Sequence, residues 1–92
     1  MSMSTRRIVH FTGRVQGVGF RYTTCDIAAG YRVTGYVRNL GDGRVEMVAE
    51  GEPEQIDRLV AALSVRMQDY IREVAAHESP ATGEFTDFRI SY

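Results

Sequence analysis

Hydrophobic residues follow two different spacings along the chain, and each spacing predicts a different secondary structure. Apolar and polar positions alternate over residues 8–12, 33–39, 44–50 and 85–92, as in strands that hold one face against a core. Residues 70–77 alternate less regularly and are a further strand candidate. The alternating segments therefore predict a sheet.

Two segments instead carry apolar residues at three- and four-residue steps, the period of a helix. The first runs from Phe20 to about Tyr31 and the second follows Pro53, a residue favoured in the first turn of a helix. The apolar stripe of the second helix consists of Ile56, Leu59, Val60, Leu63 and Met67. Acidic residues 50, 52, 54 and 57 are interpreted as a solvated start of this helix.

The order of these elements is βαββαβ, with or without one extra short strand, and it predicts an α+β fold. The glycine-containing turn at residues 39–43 joins the two middle strands into a hairpin. Both helices should pack on one face of an antiparallel sheet, which is the ferredoxin-like α/β sandwich. We expect a disordered tip at residues 1–5, one domain over residues 6–92 and a turn-rich stretch at residues 78–84.

Composition narrows the possible functions. All eleven basic residues are arginines, which excludes lysine Schiff bases and P-loop lysines, and a net charge of -1 argues against a nucleic-acid partner. Cys25 is the only cysteine and is predicted to be a small buried residue, since no cysteine–histidine signature accompanies it. The sequence has no signal peptide and no membrane-length apolar run, so we expect a cytoplasmic protein.

Residues 13–19 contain three glycines and lead from the first strand into the first helix. Such a loop can present backbone N–H groups to an anion, and Arg21 on the first helical turn could hold phosphate oxygens with its planar guanidinium. A tight turn beside a solvated arginine would give the same pattern. The residues alone leave both interpretations open.

A longer sequence match favours the phosphate-site interpretation of the loop over the tight turn. Residues 13–21 read Gly-Arg-Val-Gln-Gly-Val-Gly-Phe-Arg and residues 35–39 read Gly-Tyr-Val-Arg-Asn. The two motifs, in this order and at this spacing, resemble the signature of the acylphosphatase family. The resemblance covers most of residues 8–67 and returns weakly at residues 88–92.

The resemblance implies a function for particular residues. Arg21 and the loop N–H groups would bind the phosphoryl group of an acyl phosphate, and Asn39 would orient the attacking water. The predicted phosphate-binding set is Val15, Gln16, Gly17, Val18, Gly19, Phe20 and Arg21. The resemblance also implies a monomeric hydrolase with no metal or organic cofactor, inhibition by inorganic phosphate, and a carboxylate of Tyr92 close to Arg21.

Several other residues are assigned to structure, and one alternative function stays open. His10 and His77 lack the spacing of metal ligands. The aromatic residues Phe11, Tyr22, Tyr31 and Phe88 are predicted to pack in the core or on the sheet and not to stack on bases. The alternative function is a non-catalytic module that binds phosphate or another anion on the same fold.

Overall fold

The computed structural model of the protein describes residues 3–92 and contains two helices and five strands. The elements in chain order are β1 (Thr5–Gly13), α1 (Phe20–Ala28), β2 (Val33–Asn39), β3 (Val45–Gly51), α2 (Pro53–Arg66), β4 (Ile71–Pro80) and β5 (Phe88–Ile90). This order confirms the predicted ferredoxin-like α+β fold.

The strands form one sheet in the order β4-β1-β3-β2-β5. The first four of these are antiparallel to their neighbours, but β5 runs parallel to β2, so the sheet is mixed where an antiparallel sheet was predicted. The reason lies in the connection from β4 to β5. Residues 81–87 cross one end of the sheet between its two edges, so β5 must run opposite to β4 and therefore along β2.

One face of the sheet and the apolar sides of both helices make the core. Val9 and Phe11 of β1 are fully buried there, as are Val37 of β2 and Met47 of β3. The helical stripe predicted from the sequence supplies Ile56, Leu59 and Leu63, each fully buried, and Met67, which is nearly so. Burying one such side chain contributes about 1.5–3 kcal/mol, so the stripe fixes α2 on the sheet.

Helix α1 ends earlier than its apolar spacing predicts. It stops at Ala28, and the N–H groups of Gly30 and Tyr31 bond to the carbonyls of Ile27 and Ala28 three residues back. These tighter bonds close the last turn, after which Tyr31 still packs against the core. No helix of the described residues is long and apolar enough to cross a membrane.

The two ends of the chain also differ from the sequence prediction. Thr5, assigned to a disordered tip, begins β1 and pairs with both Gly51 and Pro80, while residues 1 and 2 lie outside the described part. Residues 78–80, predicted as turns, extend β4 because they continue the pairing with β1. The last strand shortens to Phe88–Ile90 because the preceding residues form the connection across the sheet.

Glu50 anchors the connection between β4 and β5 to the sheet. The prediction that its side chain is solvated is wrong. The side chain is only 5% exposed and lies beside Arg6 of the neighbouring strand, with Glu50 Oε2 2.7 Å from Arg6 Nε. Its oxygens also accept the backbone N–H groups of Thr82 and Gly83, each at 2.9 Å. Burial opposes ionisation, but these donors outweigh it and lower the pKa of Glu50 to about 2.

Glu50→Gln should therefore destabilise the protein in a pH-dependent way. Because the pKa falls from 4.5 in the free side chain to about 2, the ionised group stabilises the fold above pH 4.5 and loses this effect as the pH falls towards 2. We expect a loss of about 3 kcal/mol in unfolding free energy at pH 7, at about 1.4 kcal/mol per pKa unit, measured by urea unfolding.

The matched control is Glu54→Gln, which breaks an exposed ion pair with Arg58 within α2. This substitution should lower the unfolding free energy by only a few tenths of a kcal/mol at any pH. The role assigned to Glu50 would be contradicted if the difference in unfolding free energy between the wild type and Glu50→Gln stayed constant from pH 7 to pH 2.

Candidate functional site

The motif residues meet at one end of the sheet. β1 leaves the sheet at this end and passes through residues 14–19 into α1, while β2, which runs in the same direction as β1, ends here at Asn39. Arg21 lies in the first turn of α1. Two segments far apart in sequence therefore bring the loop, the guanidinium and the amide to one place.

The loop keeps its backbone N–H groups free because two glycines turn it in the left-handed region. Gly17 and Gly19 both have φ of 78°, a conformation that residues with a Cβ rarely adopt. Gly19 is also the N-cap of α1 and has no side chain to bond the first helical N–H groups. No hydrogen bond within residues 3–92 uses the backbone N–H of residues 16–21 as donor.

Both ends of the loop are nevertheless fixed. Val15 is fully buried, and the Arg14 N–H donates to the Tyr70 carbonyl at 2.9 Å. At the helix end, the Phe20 ring lies in the core with its centroid 5.0 Å from that of Phe11. The free N–H groups thus belong to a loop whose two ends are buried in the protein.

The side chain of Gln16 links the loop to the turn that follows Asn39. Its Nε2 donates to the carbonyl of Leu40 at 2.8 Å and to that of Arg44 at 2.9 Å. Both carbonyls belong to the turn between β2 and β3, directly after Asn39. The sequence predicted only a backbone contribution from this residue.

A pocket of about 140 Å³ lies between the loop and Asn39. This volume is well below the roughly 300–1,000 Å³ typical of sites for drug-sized ligands, so it suits a small group. Its lining residues are Val15, Gly17, Gly19, Phe20, Arg21, Tyr22, Asn39 and Ile90. Gln16 and Val18 of the predicted set do not line the pocket, whereas Tyr22 and Ile90 were missed.

Arg21 is the only charged residue in this lining, and none of the ion pairs in the described chain involves it. Its guanidinium carbon lies 5.2 Å from the centroid of the Tyr92 ring. The expected neighbour is therefore present, but the ring and not the terminal carboxylate makes the contact. The positive charge of Arg21 is left available to an anion.

Asn39 is half-buried at the end of β2, where it pairs with Val45 of β3. Among the hydrogen bonds of the described residues, none uses its side-chain amide. The amide can thus both donate to and accept from a molecule in the pocket.

Nearby carboxylates are held by partners of their own and do not line the pocket. Asp42 accepts the Arg44 N–H at 3.1 Å, a bond that lowers the pKa of Asp42. Glu46 lies between His10 and Arg38, 2.9 Å from a nitrogen of each. Since neither carboxylate lines the pocket, no negative side chain opposes an anion there.

The remaining candidates take structural positions, with one exception. Phe11 lies in the core, Tyr31 and Phe88 pack against it, and Cys25 is half-buried beside them, where burial raises the pKa of its thiol. The described residues contain no group of three or more histidine, cysteine or acidic side chains placed to hold a metal. Tyr22, predicted to pack, is instead 75% exposed at the rim of the pocket.

A larger groove of about 590 Å³ follows β5 and shares Ile90 with the small pocket. Its arginine, Arg89, is paired with Asp87 at 3.0 Å. The groove therefore lacks the uncompensated positive charge that distinguishes the small pocket.

Comparison with known proteins agrees with this geometry. The acylphosphatase family model matches residues 7–90, nearly the whole chain. The chain belongs to the acylphosphatase family. Two curated relatives, both named acylphosphatase, come from Marinobacter nauticus and Paenarthrobacter aurescens. The first is 50% identical over 88% of this chain and 89% of its own length, and the second 48% identical over 92% of each.

A solved structure shares the fold as well. The crystal structure of acylphosphatase from Bacillus subtilis superposes with a TM-score of 0.83 at 34% identity, and the match covers 98% of this chain and 100% of that one. Family membership and the fold therefore rest on separate comparisons of sequence and structure.

Proposed function

We propose that the protein hydrolyses the carboxyl–phosphate anhydride of acyl phosphates to a carboxylate and inorganic phosphate, and that it does so in the small pocket. The observation that carries the proposal is the set of groups there: free N–H groups, an arginine without a carboxylate partner and an unbonded amide. Membership of the acylphosphatase family supports the choice of substrate.

The loop and Arg21 form the phosphate cradle of this proposal. The left-handed glycines and the first turn of α1 line the pocket, and they supply free N–H groups and the positive end of the helix dipole. Arg21 adds a full charge and a planar pair of donors that match two phosphoryl oxygens. The cradle neutralises charge on those oxygens as the reaction proceeds.

In this proposal Asn39 positions the attacking water. A water held by its amide attacks phosphorus, the new oxygen–phosphorus bond forms opposite the acyl oxygen, and the bond to that oxygen breaks. The leaving carboxylate is weakly basic and needs no general acid, while the phosphoryl group of the substrate takes the water's proton. Positioning and charge neutralisation are sufficient for this chemistry, so we propose that no metal takes part.

We further propose that the protein acts as a monomer in the cytoplasm. A single half-buried cysteine suits a reducing compartment.

The direct test is hydrolysis of benzoyl phosphate, followed by its loss of ultraviolet absorbance. We expect turnover that persists in excess chelator and is inhibited competitively by inorganic phosphate. Phosphate binding without turnover would instead favour the non-catalytic module. Turnover that stops in chelator and returns with a divalent cation would contradict the metal-free mechanism.

Arg21→Lys should weaken both phosphate binding and turnover, because an ammonium group cannot make the paired contact of a guanidinium. Calorimetric titration with inorganic phosphate, together with benzoyl phosphate kinetics, measures the two effects. Arg89→Lys, in the neighbouring groove, is the matched control and should change neither. Unaltered phosphate affinity in Arg21→Lys would mean that the loop binds phosphate alone.

Asn39→Ala should separate binding from chemistry. The rate should fall about 100- to 1,000-fold, equivalent to about 3–4 kcal/mol of transition-state stabilisation, while phosphate affinity stays nearly unchanged. Asn39→Asp keeps the propensity for the turn but cannot donate and adds negative charge, so it should also be nearly inactive. An active, folded Asn39→Asp variant would remove Asn39 from the mechanism.

A further inference from the structure

The Gln16 side chain joins the two parts of the pocket. Its amide nitrogen belongs to the glycine loop, yet both of its hydrogen bonds end on the β2–β3 turn, at the carbonyls of Leu40 and Arg44. These bonds, at 2.8 and 2.9 Å, use both N–H groups of the amide. Among the described residues this is the side-chain link between the loop and that turn.

The two acceptors close the hairpin at its turn. The Leu40 N–H donates to the Arg44 carbonyl at 2.8 Å, and the next pair of the ladder is Asn39 with Val45. Gln16 therefore holds both strands of the hairpin one step beyond Asn39. A shift of the loop relative to this turn would change the separation between the phosphate cradle and the Asn39 amide.

Gln16 has no place in the pocket lining, so its side chain is not positioned to touch the phosphoryl group. The same side chain is half-buried and fully engaged as a donor. Gln16 must therefore contribute to the reaction indirectly, through the loop and the β2–β3 turn that its hydrogen bonds join.

We infer that Gln16 is a positioning residue that sets the distance between bound phosphoryl group and attacking water by linking the loop to the Asn39 hairpin. The inference rests on the proposed function. Displacement of a reacting group by about 1 Å can cost about 100-fold in rate. The cradle itself keeps its N–H groups and Arg21 whether or not the link is present.

The test is a double-mutant cycle that combines Gln16→Met with Asn39→Ala. Methionine keeps the length of the side chain and removes both donors. We expect Gln16→Met alone to lower kcat for benzoyl phosphate on the order of 10- to 100-fold, with the inhibition constant of inorganic phosphate nearly unchanged. In the Asn39→Ala background the same substitution should have almost no further effect on kcat, because the residue that Gln16 positions is absent.

Asp42→Ala is the matched control. It removes two hydrogen bonds to Arg44 from the same turn but leaves the Gln16 link intact, so kcat should be unchanged. Gln16→Glu, which also lacks the donors, provides a second variant should Gln16→Met fold poorly. Circular dichroism and thermal melting establish that each variant compared is folded at the assay temperature.

The outcomes separate this inference from the proposed function. If wild-type protein does not hydrolyse benzoyl phosphate, or Asn39→Ala is fully active, the proposed function fails. If both expectations hold but Gln16→Met and Gln16→Glu keep wild-type kcat, lower kcat equally in both backgrounds, or both unfold, Gln16 has no positioning role and the inference is overturned.

Discussion

The pocket depends on backbone N–H groups that stay free of internal partners while the backbone around them stays fixed. A strand or a helix would bond these groups internally, and an unanchored loop would let them move. Here Gly17 and Gly19 turn the backbone away from any acceptor, and the buried side chains of Val15 and Phe20 fix the loop at each end. The site can therefore be built before a ligand arrives, which reduces the cost of binding an anion.

The placement of the charged side chains also leaves the pocket available to an anion. Arg21 can attract a phosphoryl group only if no carboxylate neutralises it, and three acidic residues of the sheet and its hairpin turn are engaged elsewhere. Glu50 anchors the connection to β5, Glu46 bridges His10 and Arg38 on the sheet face without helices, and Asp42 closes the hairpin turn. Each of these three carboxylates has a structural partner and none of them lines the pocket, where Arg21 is the one charged side chain.

Local patterns predicted most of the fold, and the exceptions share a physical cause. Strand β2 and the start of α2 match their predicted bounds because one face of each is buried and its apolar period is clear. Strand β4 is an edge whose residues 72–78 are all exposed, so burial imposes no alternation there and its extent depends on pairing with β1. Glu50 looked like a solvated residue because its partners, Arg6 and residues 82–83, are distant in sequence.

Part of the candidate site could also be predicted from local sequence patterns. The loop, Arg21 and Asn39 were indicated by two contiguous motifs that resemble the acylphosphatase signature. The linking role of the Gln16 side chain and the presence of Ile90 in the pocket depend on tertiary contacts that no local pattern records. Tyr22 lies two positions from the buried residues Phe20 and Thr24, so helical spacing places it on the outer side of α1, and the prediction that it packs was wrong.

The central claim is that the free N–H groups of the loop bind the phosphoryl group. Titration of isotopically labelled protein with inorganic phosphate, followed by amide NMR, tests it most directly. We predict saturable shifts of the amide signals of residues 16–21, with a dissociation constant equal to the inhibition constant of phosphate against benzoyl phosphate hydrolysis. Shifts confined to the groove beside Arg89, or none in the loop at concentrations that inhibit turnover, would contradict the account.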